Sequence, residues 1–307
     1  MSPDAGHVEV DGQRVPFSNR DKVLYPAAGF TKGDVLDYYM AIAPTLLAHL
    51  AGRPLTLKRY PNGVSEKFFY QKQCPPHPDF VRTEEIWSRS NKKYIDFCVC
   101  DNRATLAWLA NLADLELHTS MSRVDEMANA LILVLDFDPG PPATIVECCE
   151  VALLVRGILG ELKLECFPKT SGSKGMQLYV PLNGGATYDR TKGFANALAR
   201  LLEERHPDLV LSNMKRELRP GKVLIDWSQN DDMKTTVSAY SLRARERPTV
   251  STPLRWQEVE KTLKSGKPEQ LVFEPAAVLR RVKRYGDLFA PVEELHQELP
   301  NLEAAVS

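Results

Sequence analysis

The 307-residue sequence contains no apolar run close to the roughly 18 residues that a membrane-spanning helix needs, so no transmembrane segment is predicted. The opening residues, MSPDAGHVEVDGQRV, lack the basic start and apolar core of a signal peptide. A cytoplasmic protein is the expectation. None of the six cysteines (74, 98, 100, 148, 149, 166) belongs to a C-x-x-C pair, which argues against structural zinc and for reduced thiols buried in the core. Excess charge is missing too: 39 basic against 40 acidic residues leave a net charge of −1, unlike a protein that coats nucleic acid non-specifically. There is no internal repeat and no low-complexity segment. The proline-rich stretches at Cys74–Pro78 and Pro139–Pro142 read as turns rather than linkers. A lysine-centred K-x-D-G motif is also absent, so no nucleotidyl-ligase nucleophile is expected in this sequence.

Two short apolar runs stop at carboxylates. Leu131–Pro139 reads LILVLDFDP and Lys222–Asn230 reads KVLIDWSQN. Asp136 and Asp138 are two residues apart, so on a strand both project from one face. If the second run is a neighbouring strand, Asp226 joins them at the rim. Three carboxylates on a rigid edge suit one or two Mg²⁺ or Mn²⁺ ions, the usual apparatus for making or breaking a phosphodiester. Strands also end in Asp at ordinary turns, and D-x-D alone is a weak signal.

Between these runs lies Cys166–Leu182, CFPKTSGSKGMQLYVPL. Its SGSKG piece is small and glycine-rich. Backbone N–H groups there could cradle phosphate oxygens, with Lys174 adding positive charge. It is not a Walker A loop, because a strand follows it and not a helix. Taken alone it could equally be a flexible hairpin.

The remaining pattern mixes strands and helices without a steady βαβ alternation, which predicts an α+β fold. Helices are expected at Lys32–Leu50, Arg103–Leu112, Thr144–Leu159, Tyr188–Arg205, Trp256–Lys264 and Ala277–Tyr285. Thr31/Asp34 and Thr144/Glu147 read as capping boxes. Cys148 and Cys149 fall on a helix expected to be buried. Strands are expected at Val8–Val10, Leu55–Arg59, Phe68–Gln71, Tyr94–Val99, Leu115–Thr119, Leu164–Phe167 and Met176–Val180, besides the two acidic ones. The expected form is two facing sheets flanked by helices, with the site between them.

In order and spacing these elements resemble archaeo-eukaryotic primases, and most closely the polymerase domain of bacterial ligase D, the end-joining primase-polymerase. The shared pieces are DKVLYP (21–26), the Thr31–Lys32 helix start, KRYPNG (58–63), FF (68–69), WLANLADLELH (108–118), VLDFDPG (134–140), KTSGSKG (169–175), VLIDWSQN (223–230) and YSLRAR (240–245). One departure is Gln177, which stands where the family commonly carries His; glutamine can hydrogen-bond a phosphate but carries no charge.

The resemblance implies one primase-polymerase domain over residues 1–307. Its strands and helix at 1–60 would wrap a catalytic core of about 55–250, with C-terminal helices at 253–290 and mixed or antiparallel sheets. It implies a DNA-directed nucleotidyltransferase that adds NTP or dNTP, ribonucleotides by preference, to DNA 3′ ends with two Mn²⁺ or Mg²⁺ ions on Asp136, Asp138 and Asp226. Ser171, Ser173 and Lys174 would hold the triphosphate. Lys58, Phe69, His118, Gln229 and Arg243 would also meet the nucleotide, and Phe68, Lys22, Lys32 and Arg219 the DNA. Lys22 and Lys32 match positions that grip a 5′-phosphate, and Lys32 begins a helix, whose N-terminus attracts anions.

The implied partners are DNA with gaps, overhangs or double-strand breaks carrying a 5′-phosphate, together with bacterial Ku and a DNA ligase, and no membrane. Each of these side chains also has a plain reading: packed histidine, surface lysine, core phenylalanine. The basic run Arg280–Arg284 reads as a solvated helix face. Two rival functions remain. A metal-dependent nuclease would use the same carboxylates but has no need of a triphosphate cradle. A catalytically silent DNA-end-binding module would have no reason to keep three carboxylates together.

Overall fold

In a computed structural model the protein is described over residues 5–88 and 91–300; the outermost residues of the expected 1–307 span lie outside these. The fold is α+β. Helix Lys32–Leu50 begins where Thr31 Oγ1 accepts from the Asp34 amide at 3.1 Å and the Asp34 carboxylate accepts from the Thr31 amide at 2.7 Å. The second predicted box is also built: Glu147 accepts from the Thr144 amide at 2.6 Å at the start of helix Ile145–Glu161. Reciprocal capping of this kind satisfies amides that have no partner inside the helix. Among the described residues no helix is long and apolar enough to cross a membrane.

The chain divides into two compact units. The first comprises 1–125, 235–251 and 273–286. Its four-stranded antiparallel sheet runs in the order Thr235–Val237, Asp114–Ser120, Leu55–Arg59, Phe69–Gln71. Helices Lys32–Leu50 and Arg103–Asn111 pack on each other within this unit. Four hairpins accompany the sheet, among them Arg82–Ser88 with Lys93–Val99 and Leu242–Ala244 with Pro248–Val250. The expectation of reduced thiols is corrected here. Cys74 donates its amide to the Asp96 carbonyl at 2.6 Å, which lays it beside the Lys93–Val99 strand, and it forms a disulfide with Cys98. Cys100, Cys148, Cys149 and Cys166 are free and buried.

The second unit comprises 126–234, 252–272 and 287–307. Its five-stranded sheet is ordered Phe167–Thr170, Met176–Thr187, Asn129–Pro139, Val223–Asp226, Val210–Leu211. The acidic strand Asn129–Pro139 is therefore central, antiparallel to both neighbours. Helices Ile145–Glu161 and Tyr188–Arg205 both pack on this strand.

The strand expected at Leu164–Phe167 instead occupies Phe167–Thr170. The Leu164 amide is engaged by the Leu159 carbonyl at the helix end, so the chain turns before it can pair. The second acidic strand ends at Asp226, and Trp227–Gln229 forms a 3₁₀ turn. A short helix at Ala290–Glu294 follows the two expected C-terminal ones.

Candidate active site

The register of the five-stranded sheet fixes the acidic rim. Asp136 lies directly opposite Asp226 on one side and Gln177 on the other, and Gln177 lies opposite Lys169. Residues opposite one another in a ladder share a face. Lys169, Gln177, Asp136 and Asp226 thus form one row across four strands, and Asp138, two residues on from Asp136, lies on the same face. Lys169 is fully buried and Gln177 nearly so.

Burial first, and then the Asp138 and Asp226 carboxylates, push the Asp136 carboxyl up to about 7; a hydrogen bond from Gln177 and the Lys169 ammonium act against this. Asp226 is held from behind, with Ser228 Oγ donating to Asp226 Oδ1 at 2.6 Å and Lys234 Nζ donating to Ser228 Oγ at 2.6 Å. Among the described residues no three acidic, histidine or cysteine side chains close into a ready ligand cage. Like charges without a counter-ion spread apart or raise one another's hold on a proton, and this second effect adds to burial at Asp136. A hard, all-oxygen donor set in which burial and then two neighbouring carboxylates raise one acid fits a divalent cation of the Mg²⁺ or Mn²⁺ type.

The SGSKG loop is placed beside this rim by a close approach of backbones. Met176, the residue after the loop, pairs with Phe137, between the two acidic residues. A methyl group added to Gly175 would drive into the Phe137 carbonyl oxygen, so only glycine allows the loop this near. Gly172 has φ +67°, a left-handed conformation that glycine adopts without strain. Inside the loop the amides of Ser173 and Gly175 both point at Ser171 Oγ, at 3.2 Å each. Ser173 and Lys174 line a cavity of about 270 Å³ together with Pro139, Thr144 and Leu271.

The first unit gathers a different set. Lys58, His118 and Arg243 meet at one carboxylate, Glu116, which is 1% exposed. Phe68, Phe69 and Tyr70 are 47%, 43% and 59% exposed, an unusual density of apolar surface at the start of the Phe69–Gln71 strand. Lys58 Nζ lies 4.7 Å from the centre of the Phe68 ring, and Arg59 stacks on Phe69 at 5.1 Å. Burial lowers the Lys58 ammonium, against the pull of Glu116, and burial also lowers His118 against its hydrogen bond to the same carboxylate.

The other candidates are placed as follows. Lys22 is exposed and donates to Asn62 Oδ1 at 3.0 Å. Lys32, 6% exposed, donates to the Ser18 carbonyl at 2.8 Å and to Asn111 Oδ1 at 2.6 Å, and burial followed by the nearby Lys22 charge lowers it to about 8. Arg219 donates to the Met214 carbonyl at 3.0 Å. Gln229 sits on the 3₁₀ turn after Asp226. Sequence reading passed over Glu116, Lys169, Ser228 and Lys234. Glu116 had a usable signal: on a strand, a carboxylate two residues before a histidine shares its face.

Three carboxylates on one sheet face, with a glycine-rich loop pressed against their strand in an α+β fold, are the arrangement expected of a nucleotidyltransferase of the polymerase class. The chain belongs to the LigD primase-polymerase domain family, whose model, "LigD, primase-polymerase domain", matches residues 31–289. The solved "Polymerase Domain from Mycobacterium tuberculosis Ligase D in complex with DNA" superposes with a TM-score of 0.85 at 40% identity, covering 93% of this chain and all of that one. The multifunctional non-homologous end joining protein LigD of Mycolicibacterium smegmatis is 42% identical over 284 residues, 92% of this chain and 36% of that protein. The bifunctional non-homologous end joining protein LigD of Bacillus subtilis is 31% identical over 275 residues, 89% of this chain and 43% of that protein. The chain therefore spans well under half the length of these curated relatives.

Proposed function

We propose that the chain extends DNA 3′ ends, preferring ribonucleotides, in gap filling and non-homologous end joining, with residues 1–307 acting as one primase-polymerase domain. Asp136, Asp138 and Asp226 would hold two divalent ions. When bound, such ions supply Lewis-acid activation of the 3′-hydroxyl and neutralise the triphosphate. Ser171, Ser173 and Lys174 would bind that triphosphate, and Lys58, His118 and Arg243 would orient the nucleotide. Phe68 and Phe69 offer rings for base stacking. Bacterial Ku and a DNA ligase are the proposed partners, and the bacterial cytoplasm, at the nucleoid, the proposed location. The observation that carries this reading is the convergence of three carboxylates on one sheet face beside a loop only glycine lets approach.

Primer extension on a gapped duplex with a 5′-phosphate, using each NTP and dNTP, tests it. His118 and Gln229 are the polar groups proposed to meet a 2′-hydroxyl, and a site built around a hydroxyl leaves its own groups unpaired when the hydroxyl is missing. Ribonucleotides should be used at least about tenfold more efficiently in kcat/KM. Equal or better use of dNTPs under matched metal conditions refutes the preference, and no extension at all refutes the activity.

Removing the 5′-phosphate should weaken gapped-DNA binding by wild type, while Lys22→Ala/Lys32→Ala should bind both DNAs equally weakly. Lys32 keeps its proton below about 8, so the preference for phosphorylated DNA should shrink as pH rises from 7 to 9. The salt dependence of binding should become shallower in the double variant. Anisotropy titrations that still show discrimination in that variant exclude these lysines.

A further inference from the structure

Glu116 is engaged through both carboxylate oxygens. Its Oε1 accepts from Lys58 Nζ at 3.1 Å, from the Ala244 amide at 3.0 Å and from Tyr60 Oη at 3.3 Å. Oε2 accepts from Lys58 Nζ at 3.1 Å, lies 3.0 Å from His118 Nε2 and pairs with Arg243 Nε at 3.2 Å. Apart from Tyr60, which follows the first of them, the partners lie on three strands: Leu55–Arg59, Glu116's own Asp114–Ser120, and Leu242–Ala244. The antiparallel register sets Lys58 directly opposite Glu116, and a bulge follows between Lys58 and Arg59.

The three nitrogen-bearing side chains are 11%, 13% and 15% exposed, against 1% for the carboxylate beneath them. Burial favours a neutral Glu116, but His118, Arg243 and Lys58 together hold it well below the usual carboxylate range. It is an anion at any working pH. Two permanent cations and a histidine crowded this closely need such an anion to stay together.

We propose that Glu116 is a positioning residue for nucleotide binding: it gathers Lys58, His118 and Arg243 into a pre-ordered cluster that orients the incoming nucleotide, the two cations meeting its phosphate oxygens. This rests on the proposed nucleotidyltransferase reading of the same side chains. Long, flexible cations normally lose rotamer freedom when they bind an anion. Here that ordering is done before the ligand arrives.

Simple electrostatics predicts the reverse effect. A negative charge under an anion site weakens it, so removing that charge would tighten binding. The sign of the change therefore separates positioning from bulk charge.

The test uses the full chain in wild-type, Glu116→Gln and Glu116→Asp forms. Glu116→Gln should raise the KM for NTP about tenfold or more while kcat stays within about threefold. Glu116→Asp, which keeps the charge at shorter reach, should recover part of that loss. A KM that falls or stays within about twofold, with or without a lower Tm, overturns the proposal.

If Glu116→Gln fails to fold, Glu116→Asp decides: a raised KM with kcat kept supports positioning, and an unchanged KM overturns it. Calorimetric titration with inorganic triphosphate needs no turnover, so it stands even if wild type extends no primer. Weaker binding by the variant supports the cluster, and equal or tighter binding overturns it.

Discussion

Replacing Asp138 or Asp136 with alanine should abolish nucleotide addition, by a factor of about 10³ or more, with DNA affinity near wild type. The acids are the proposed metal ligands, whereas backbone phosphates are met by lysine and arginine. Extension on a gapped duplex, paired with anisotropy on the same DNA, checks both halves. Persisting activity in Asp138→Ala removes the metal assignment.

A stability measurement provides an independent check. The Asp136 carboxyl sits at about 7 against an ordinary 3.8. Its ionised form is thus disfavoured by folding, a cost that is absent below pH 4, grows as pH rises from 4 to 7 and is full above that. In metal-free buffer at pH 8, Asp136→Asn should be more stable than wild type by roughly 2–4 kcal/mol, although inactive. Added Mg²⁺ or Mn²⁺ should stabilise wild type and leave Asp136→Asn nearly unmoved. A variant no more stable than wild type without metal means that neither burial nor the neighbouring carboxylates disfavour the ionised Asp136.

Gly175→Ala should destabilise the protein by about 3 kcal/mol or more and remove activity with it. The new methyl would meet the Phe137 carbonyl oxygen, a main-chain atom of the central strand, with Pro139 close behind. A flexible side chain could swing aside, but a carbonyl already committed to a sheet cannot. Relief would come only by moving the loop away from Asp138. The matched control is Gly157→Ala or Gly193→Ala. Both lie inside helices, and nothing stands within 4 Å of the added atom. These should be neutral or stabilise by about 0.5–1 kcal/mol. Chemical denaturation of all three separates close approach from a general cost of losing glycine, and equal effects at the three positions exclude the steric argument.

The elements legible in the sequence were those whose ends carry their own chemistry. Helices Lys32–Leu50 and Tyr188–Arg205 and strand Leu55–Arg59 have the expected bounds because a cap, a glycine or a proline marks them. Strand Arg82–Ser88 was missed, since RTEEIWS has too many charges to read as a strand when its partner is unknown. The Cys74–Cys98 pairing depends on the turn that brings residue 74 to the Lys93–Val99 strand, which no local spacing encodes. At the site, the carboxylates could be read from two-residue periodicity, but their neighbours could not. Lys169 looks like a loop lysine until the register puts it in a row with Gln177 and Asp136. Glu116 looks like a surface acid until three strands converge on it.

The order in which the chain visits its two units bears on how it is made. The first unit takes its edge strand Thr235–Val237, and the Leu242–Ala244 strand that carries Arg243, from residues beyond 234, after the whole of the second unit's five-stranded sheet. During synthesis, then, the Asp114–Ser120 strand emerges long before its outer neighbour, with that ladder edge open for pairing with another chain. Glu116 on that strand likewise waits for Arg243 and the Ala244 amide. The five strands of the second unit lie between 129 and 226 and can pair while the first sheet is still incomplete. Once the strand Val223–Asp226 has cleared the ribosome, the acidic sheet can therefore form before the cation cluster has all its members.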